Sequence, residues 1–374
     1  MNHYFATVAR GLENLAAQEL SGLGAEQVEP GFCGVAFAGD RPLLYRVNLW
    51  ARLPFRILVT LGKFPCVTAD DLYSGIQSLN WSGHLTPDHT LAVDATGKTH
   101  ELNHSHFTAL QVKNAIVDQQ RSRAGIRSDV DTRFPDVRVN VHLHRDQATV
   151  SLDSSGSSLH RRGYRPAVGM APLKESLAAA LIALSEWQPG QAFCDPMCGS
   201  GTLPLEASLI ALNHAPGLRR DRFGFETWPD FDADIWQQLR QDAKAAQIPD
   251  LEATIVGCDR NLDVIHQART NARHCGVGAQ LAFHKRDLAQ VDAPAASGVV
   301  LCNPPYGKRL GKGDDLSSLY KLLGDVLKQR FKGWTAYILS GNKALARAIG
   351  LKSAQRWPIY NGTLPCQLMK YELY

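Results

Sequence analysis

The feature that most constrains this chain is a rhythm beyond residue 165. Four apolar runs, QAFCD, ATIVGCD, LAFHKRD and GVVLCN, each close on a polar residue and are separated by helical stretches, notably 261–274. A further helix, LSSLYKLLGDVLKQRF (316–331), follows the last run. Repeated strand, turn and helix at this spacing predicts a doubly wound parallel sheet, whose ligands collect at the carboxyl ends of the strands. All four polar endings then share one edge. APLKESLAAALIALS (171–185), with Pro172 near its first turn, is expected to lead into this sheet as a helix. TAYILS (335–340), a short helix at 342–349, and a hairpin of PIYNG and QLMKYEL are expected to complete it.

The first 165 residues alternate strand-like and helical runs. YFATVA (4–9) reads as a strand feeding a helix with Leu12, Leu15, Ala16 and Leu20 at helical spacing. RILVTLGKF (56–64) and LAVDA (91–95) read as strands, a helix begins near Ala69, and another spans about 106–120. VRVNVHL (137–143) and ATVSLD (148–153) are two strands around a charged turn. This order suits one or two small open sheets without a nucleotide site.

Composition limits the partners. Charged residues make up 20% of the chain, and 40 Lys+Arg against 36 Asp+Glu leave a formal charge of only +4, so any basic surface must be local. Residues 121–165 hold nine Arg, no Lys and five Asp. Such a run is commonly a solvated face, yet the fixed donor fork of Arg also suits phosphate, and this segment is the candidate phosphate-binding patch. The start MNHYFATVARG lacks a secretory leader, no apolar stretch reaches spanning length, and the eight cysteines are scattered. A cytoplasmic location with free thiols is expected, with no membrane and no obligate protein partner.

Chemistry concentrates at the strand ends. DPMCGSGT (195–202) sits at the first strand-to-helix turn, where Gly199 and Gly201 are expected to admit a ligand to the backbone and Asp195 offers a carboxylate. The turn matches neither GxGxxG nor GxxxxGK[ST], which disfavours a dehydrogenase and an ATPase. Asp259 ends the second run, suited to ribose hydroxyls, and Asp287 ends the third, suited to an adenine amine. Three acids on three consecutive strands specify a nucleoside with little attention to phosphate, which favours S-adenosylmethionine. Asn303-Pro304-Pro305-Tyr306 directly follows GVVLC. Two prolines there end the ladder and hold a rigid turn. The Asn303 side-chain oxygen and Pro304 carbonyl can accept both hydrogens of an exocyclic amine, and Tyr306 offers a stacking face. Lys308 and Arg309 follow, where a base's phosphates would come near. Cys194 and Cys198 have no second close pair, the histidines show no HExxH spacing, and no metal is expected. His142 and His144 read as ordinary packing or surface polarity.

Taken together, DPMCGSGT, GCDRN, KRD and NPPYGKRL resemble the motifs of class I S-adenosylmethionine-dependent RNA methyltransferases acting on exocyclic amines. The N-terminal region resembles the ferredoxin-like and THUMP arrangement of bacterial 23S ribosomal RNA guanine-N2 methyltransferases, and VARGLENLAAQEL (8–20), VKNAIVDQQR (112–121), SLHRRGYR (158–165) and APLKESLAAAL (171–181) look like that group's linking features. The resemblance covers essentially the whole chain. It implies a ferredoxin-like region (1–50), a THUMP RNA-binding domain (45–155), a linker (156–170) and a seven-stranded Rossmann-like methyltransferase domain (171–374). It implies that Asp195, Gly199 and Gly201 serve the methionine end of the cofactor, Asp259 its ribose and Asp287 its adenine, with Pro196, Cys198, Thr202, Arg260 and Asn303 beside them. Asn303, Pro304, Pro305 and Tyr306 would hold the target guanine of 23S rRNA. Transfer RNA is the alternative substrate, since single-catalytic-domain relatives with THUMP modules modify it. Adenine-N6 transfer and a non-catalytic RNA-binding assembly factor are further alternatives. Many bacterial members continue into a second domain making 7-methylguanine; this sequence ends at Tyr374, and one activity is expected.

Overall fold

The computed structural model describes residues 1–165, 173–306 and 315–374. The N-terminal elements are β1 (Asn2–Thr7), α1 (Glu13–Gly22), β2 (Glu26–Gly31), β3 (Gly34–Gly39), α2 (Arg41–Trp50), β4 (Arg56–Pro65), α3 (Ala69–Ser78), β5 (Leu91–Gly97), α4 (Ser105–Ala124), β6 (Val137–His144) and β7 (Gln147–Asp153). They form one seven-stranded sheet, ordered β2-β3-β1-β4-β7-β6-β5. The joining element is β4, whose residues Arg56–Val59 pair with β1 on one side while Leu58–Pro65 run against β7 on the other. Alternation sets the faces: Val137, Val139, Val141 and Leu143 of β6 are buried, and His142 and His144 between and beyond them point to solvent with their rings stacked. Helix α3 starts where Thr68 and Asp71 cap each other's backbone N–H groups, as the acids near Ala69 lead one to expect.

The second body comprises α5 (Glu175–Leu184), β8 (Ala192–Asp195), α6 (Thr202–Ala211), α7 (Ala233–Ala245), β9 (Ile255–Asp259), α8 (Leu262–His274), β10 (Ala282–Lys285), β11 (Gly298–Cys302), α9 (Leu316–Arg330), β12 (Thr335–Ser340), α10 (Lys343–Ala348), β13 (Gln355–Asn361) and β14 (Leu364–Glu372). Its sheet order is β10-β9-β8-β11-β12-β14-β13. The first five strands in that order are parallel neighbours, and β14 pairs antiparallel with both β12 and β13. The four anticipated runs are therefore β8, β9, β10 and β11, side by side, and the last two strands form the anticipated hairpin. Helix α5 begins at Glu175; the expected start around Pro172 lies outside the described residues.

Two interactions weld the bodies together. Tyr45 of α2 stacks on Phe225 at 4.5 Å and meets Phe231 and Trp236 edge-on. Beside this aromatic cluster runs a buried polar seam. Arg162, 2% exposed, donates to the carbonyls of Arg52 (2.5 Å) and Leu159 (2.9 Å) and lies 3.6 Å from the carboxylate of fully buried Glu206. Tyr164 donates to the same Glu206 oxygen (2.9 Å), and Arg52 reaches the carbonyl of His214 (2.6 Å). Arg220 donates to the carbonyls of Ser155, Ser157, Ser158 and Arg161. Residues 156–165, expected to link two domains, are thus packed into their interface.

A buried ion pair is costly to break because its surviving partner stays out of water. Arg162→Ala should lower the unfolding free energy by about 3–5 kcal/mol in a urea titration, and the paired replacement Arg162→Met with Glu206→Leu should recover most of that loss.

Candidate active site

The carboxyl ends of β8, β9, β10 and β11 open on one edge, where the sequence places its acids. The N–H of Gly199, in the turn after β8, donates to Asp259 Oδ2 at 3.0 Å, while Asp259 Oδ1 accepts from Asn261 at 2.9 Å. This stitches the glycine turn to the end of β9 and leaves lone pairs on both oxygens. Asp195 is only 2% exposed and accepts from the N–H of Met197 (3.1 Å) and from the Cys302 thiol. Burial, aided by the negative charge of Asp259, pushes its carboxyl up to about 8. Asp195 is therefore a largely neutral acid that a nearby cation would ionise.

Of the two glycines, Gly201 departs from expectation. Gly199 has φ +52° with open space where a Cβ would stand, whereas a Cβ on Gly201 (φ +83°) would meet the Phe283 ring at 2.9 Å and Ala268 at 3.0 Å. Gly201 is thus required by the left-handed backbone before α6 and by the close approach of β10 and α8, and a ligand is not what excludes its side chain. Pro196 and Cys198 are buried, with the Cys198 N–H donating to the Cys258 carbonyl at 2.8 Å. Thr202 accepts from Arg165 at 2.6 Å through its hydroxyl, so the first turn of α6 is tied to the interdomain seam. Arg260 and Asp287 are exposed at the rim, and Asp287 caps the short turn at 288–290 through Ala289 (3.0 Å).

Past β11, Asn303 and Pro304 sit in the turn that the two prolines hold, with Pro304 buried. Asn303 Oδ1 is shielded from solvent and has no hydrogen-bond partner among the described residues. A buried acceptor left unmet costs about 1–3 kcal/mol, so it is a group awaiting a donor. Tyr306 is fixed from the other side, its hydroxyl accepting from Asn361 Nδ2 at 2.9 Å. Lys308 and Arg309 lie outside the described residues.

Three supporting side chains escaped the sequence reading. Cys302 on Asp195 and Asn361 on Tyr306 carry no motif; Arg165 lies in HRRGYR, which marked it as special without saying what it touches. The Arg-rich segment divides. Arg162 and Arg165 turn inward, the latter pairing with Glu175 at 3.5 Å, and cannot serve as RNA contacts; Arg127, Arg133, Arg145 and Arg161 are exposed. Among the described residues no group of three or more His, Cys, Asp or Glu is disposed to hold a metal ion, and no helix is long and apolar enough to cross a membrane.

Comparison with known proteins matches the same parts. Residues 162–370 match the RMKL-like methyltransferase domain, 66–153 the THUMP domain and 3–58 the RlmL ferredoxin-like domain. A Synechocystis protein named as an RNA methyltransferase is 55% identical, over 99% of this chain and 97% of its own. The ribosomal RNA large subunit methyltransferase K/L of Syntrophotalea carbinolica is 43% identical over 99% of this chain and 53% of its own, so the chain spans about half of that relative's length. A methyltransferase crystallised with S-adenosylhomocysteine superposes with a TM-score of 0.91 at 31% identity, covering 100% of this chain and 98% of its own.

Because the folded-state pKa of Asp195 lies above its ordinary value of 3.8, the proton it retains favours the folded protein at low pH. That contribution fades as pH rises toward about 8. Asp195→Asn, which mimics the neutral acid, should therefore raise the Tm of the ligand-free protein by a margin that grows from about pH 5 to pH 8 and levels off above.

Proposed function

Since the chain belongs to the RMKL-like methyltransferase family, with ferredoxin-like and THUMP modules preceding the catalytic domain, we propose that it transfers a methyl group from S-adenosylmethionine to N2 of a guanosine in 23S ribosomal RNA. The K/L relatives are named for the ribosomal RNA large subunit, which supports this choice of substrate. The observation that carries the chemistry is the buried Asn303 oxygen at the carboxyl edge of the parallel sheet, which has no hydrogen-bond donor among the described residues.

The residues present fit the cofactor. An edge with Asp195 buried and Asp259 partly so suits a positively charged ligand, and a nucleoside's hydroxyls can use the lone pairs that Asp259 retains. When bound, S-adenosylmethionine supplies a methyl group made electrophilic by its sulfonium. Asp195 and the 195–202 turn would hold its amino-acid end, Asp259 the ribose, and Asp287 at the rim the adenine.

The protein's own work is on the amine. An aromatic amine is a weak nucleophile because its lone pair is delocalised into the ring. Asn303 Oδ1 and the Pro304 carbonyl, each accepting one N–H, favour the pyramidal nitrogen in which that lone pair stands out of the ring plane. Tyr306, held by Asn361, offers its face to the base. No side chain need act as a base before the bond forms, because the nitrogen becomes acidic only once methylated, when the methyl–sulfur bond has broken, and it then gives its extra proton to solvent water. Catalysis then rests on alignment and fixed acceptors. The guanosine must leave its stack to reach this edge, so unpaired or partly unfolded RNA is the expected substrate form. The THUMP region grips RNA away from the pocket, with the exposed arginines of 121–165 its candidate contacts.

Methyl transfer from labelled S-adenosylmethionine to separated, unmodified 23S rRNA and tRNA, followed by nucleoside analysis, tests the reading. The expected product is N2-methylguanosine in 23S rRNA; label only in tRNA keeps the chemistry and replaces the substrate, and methylated adenosine overturns the base. Asn303→Ala should cut kcat by about a hundredfold or more, the scale seen for lost oriented hydrogen-bonding groups, while cofactor affinity measured by calorimetry stays within about twofold. An equal loss of both would remove Asn303 from the role given to it.

A further inference from the structure

Two short loops carry the N-terminal sheet to the rim of this edge. One follows β1 and contains Arg10 and Gly11; the other, Phe32 and Cys33, turns β2 into β3. A single carboxylate clamps both, Glu13 accepting from the N–H groups of Gly11 (2.8 Å) and Cys33 (3.1 Å). The first loop is pressed onto β13: a Cβ on Gly11 (φ +89°) would stand 2.8 Å from the Pro358 carbonyl. Above that contact the Arg10 guanidinium lies 5.0 Å from the ring centre of Tyr360 and 5.7 Å from that of Phe32.

The position matters because β13 ends beside the target pocket. Ser340, at the carboxyl end of β12, pairs with Gln367 near the start of β14, so the turn between β13 and β14 lies on the catalytic side of the sheet. The residue after Tyr360 is Asn361, the partner of Tyr306. One strand end thus holds the tyrosine of the NPPY turn with one residue and the Arg10 stack with the preceding one. Phe32 is 79% exposed. A ring so open contributes little to the core, and its neighbour is a guanidinium held between two aromatic faces. Exposed aromatic plus fixed cation is the chemistry that binds an unpaired base together with its phosphate.

We propose that Phe32, Arg10 and Tyr360 form a stacking step for a nucleotide flanking the one drawn into the Asn303 turn. The base lies on the open face of Phe32, and Arg10, oriented by Tyr360, meets the backbone phosphate. The inference rests on the RNA-methylation reading above and adds the ferredoxin-like module to the substrate contacts. It also explains how a flipped nucleotide is held in place: the chain beside it is anchored to a surface that Glu13 makes rigid.

Filter binding of in-vitro-transcribed 23S rRNA to the full chain tests it independently of turnover. Phe32→Ala should weaken Kd and raise KM for the transcript by about tenfold, the scale of one base–aromatic stack, with Tm and cofactor affinity unchanged. Phe32→Trp should restore binding and Phe32→Leu should not; Arg10→Ala should weaken binding and flatten its salt dependence. Wild-type affinity in Phe32→Ala, equal rescue by Leu and Trp, or a lowered Tm in Phe32→Ala would each overturn the stacking role. A wild-type chain that binds the transcript through Phe32 but methylates neither RNA pool would sustain the contact and remove the proposed reaction instead.

Discussion

The structure depends on a polar seam that has been taken out of water. Arg162, Arg220 and Glu206 are buried and Arg52 half-buried where the two sheets meet, and most of the hydrogen bonds of the three guanidinium groups go to backbone carbonyls across this interface. Desolvated charges tolerate little misplacement, because each lost partner leaves a charge uncompensated in a poorly polarisable surround. The aromatic cluster around Tyr45 supplies the apolar part of the same interface. Its effect is to convert two domains on a tether into one rigid frame. Loops of the N-terminal sheet then stand at fixed positions on the rim of the catalytic edge, and through Arg165 and Thr202 the seam reaches the turn that precedes α6.

On that frame the parallel sheet does the electrostatic work. Strands that all run the same way deliver Asp195, Asp259 and Asn303 to one edge, and the side chains differ in how deeply they sit. Asp195 is buried enough to keep its proton, so the edge carries less negative charge than its acids suggest. A cationic ligand reverses that balance by stabilising the carboxylate, which couples ligand binding to release of a proton. The same burial leaves Asn303 Oδ1 as an acceptor without a donor among the described residues. Both groups cost stability in the ligand-free protein, and both are matched by the chemistry proposed for the site.

What could be read from residues alone follows from which signals are local. The four strand ends were legible because a polar residue closing an apolar run is a property of five or six consecutive positions. The hairpin at the C-terminus and the capped start of α3 were legible for the same reason. By contrast, β2 has one half-buried residue among five exposed ones, and β3 is short and made largely of glycine, alanine and valine, so neither shows the alternation that announces a strand. The fusion of the N-terminal elements into one sheet turns on β4 pairing along both sides, a long-range fact without a local mark. Gly201 was recognisable as obligatory, but only the packing shows that Phe283 and Ala268 exclude its side chain. The arginines of 158–165 illustrate the general difficulty. A guanidinium buried against carbonyls and one waiting in solvent for phosphate have the same letter in the sequence.

Base identity is the feature least determined by the NPPY turn itself. Two acceptors select an amine over a carbonyl, because an oxygen presented to them would face repulsion and an unmade hydrogen bond. They therefore discriminate between the two exocyclic groups of guanine, accepting N2 and rejecting O6, but adenine N6 satisfies them equally well. Discrimination between the purines must come from contacts beyond the acceptor pair, and the choice among the many guanosines of a long RNA must come from further away still. On the proposed reading, a frame that holds a flanking nucleotide at one rim, with the exposed arginines of 121–165 beyond it, supplies such distance. For the proposed reaction, selectivity of this kind is geometric: the guanosine that reacts is the one whose neighbours can occupy the frame while it alone is free to leave its stack.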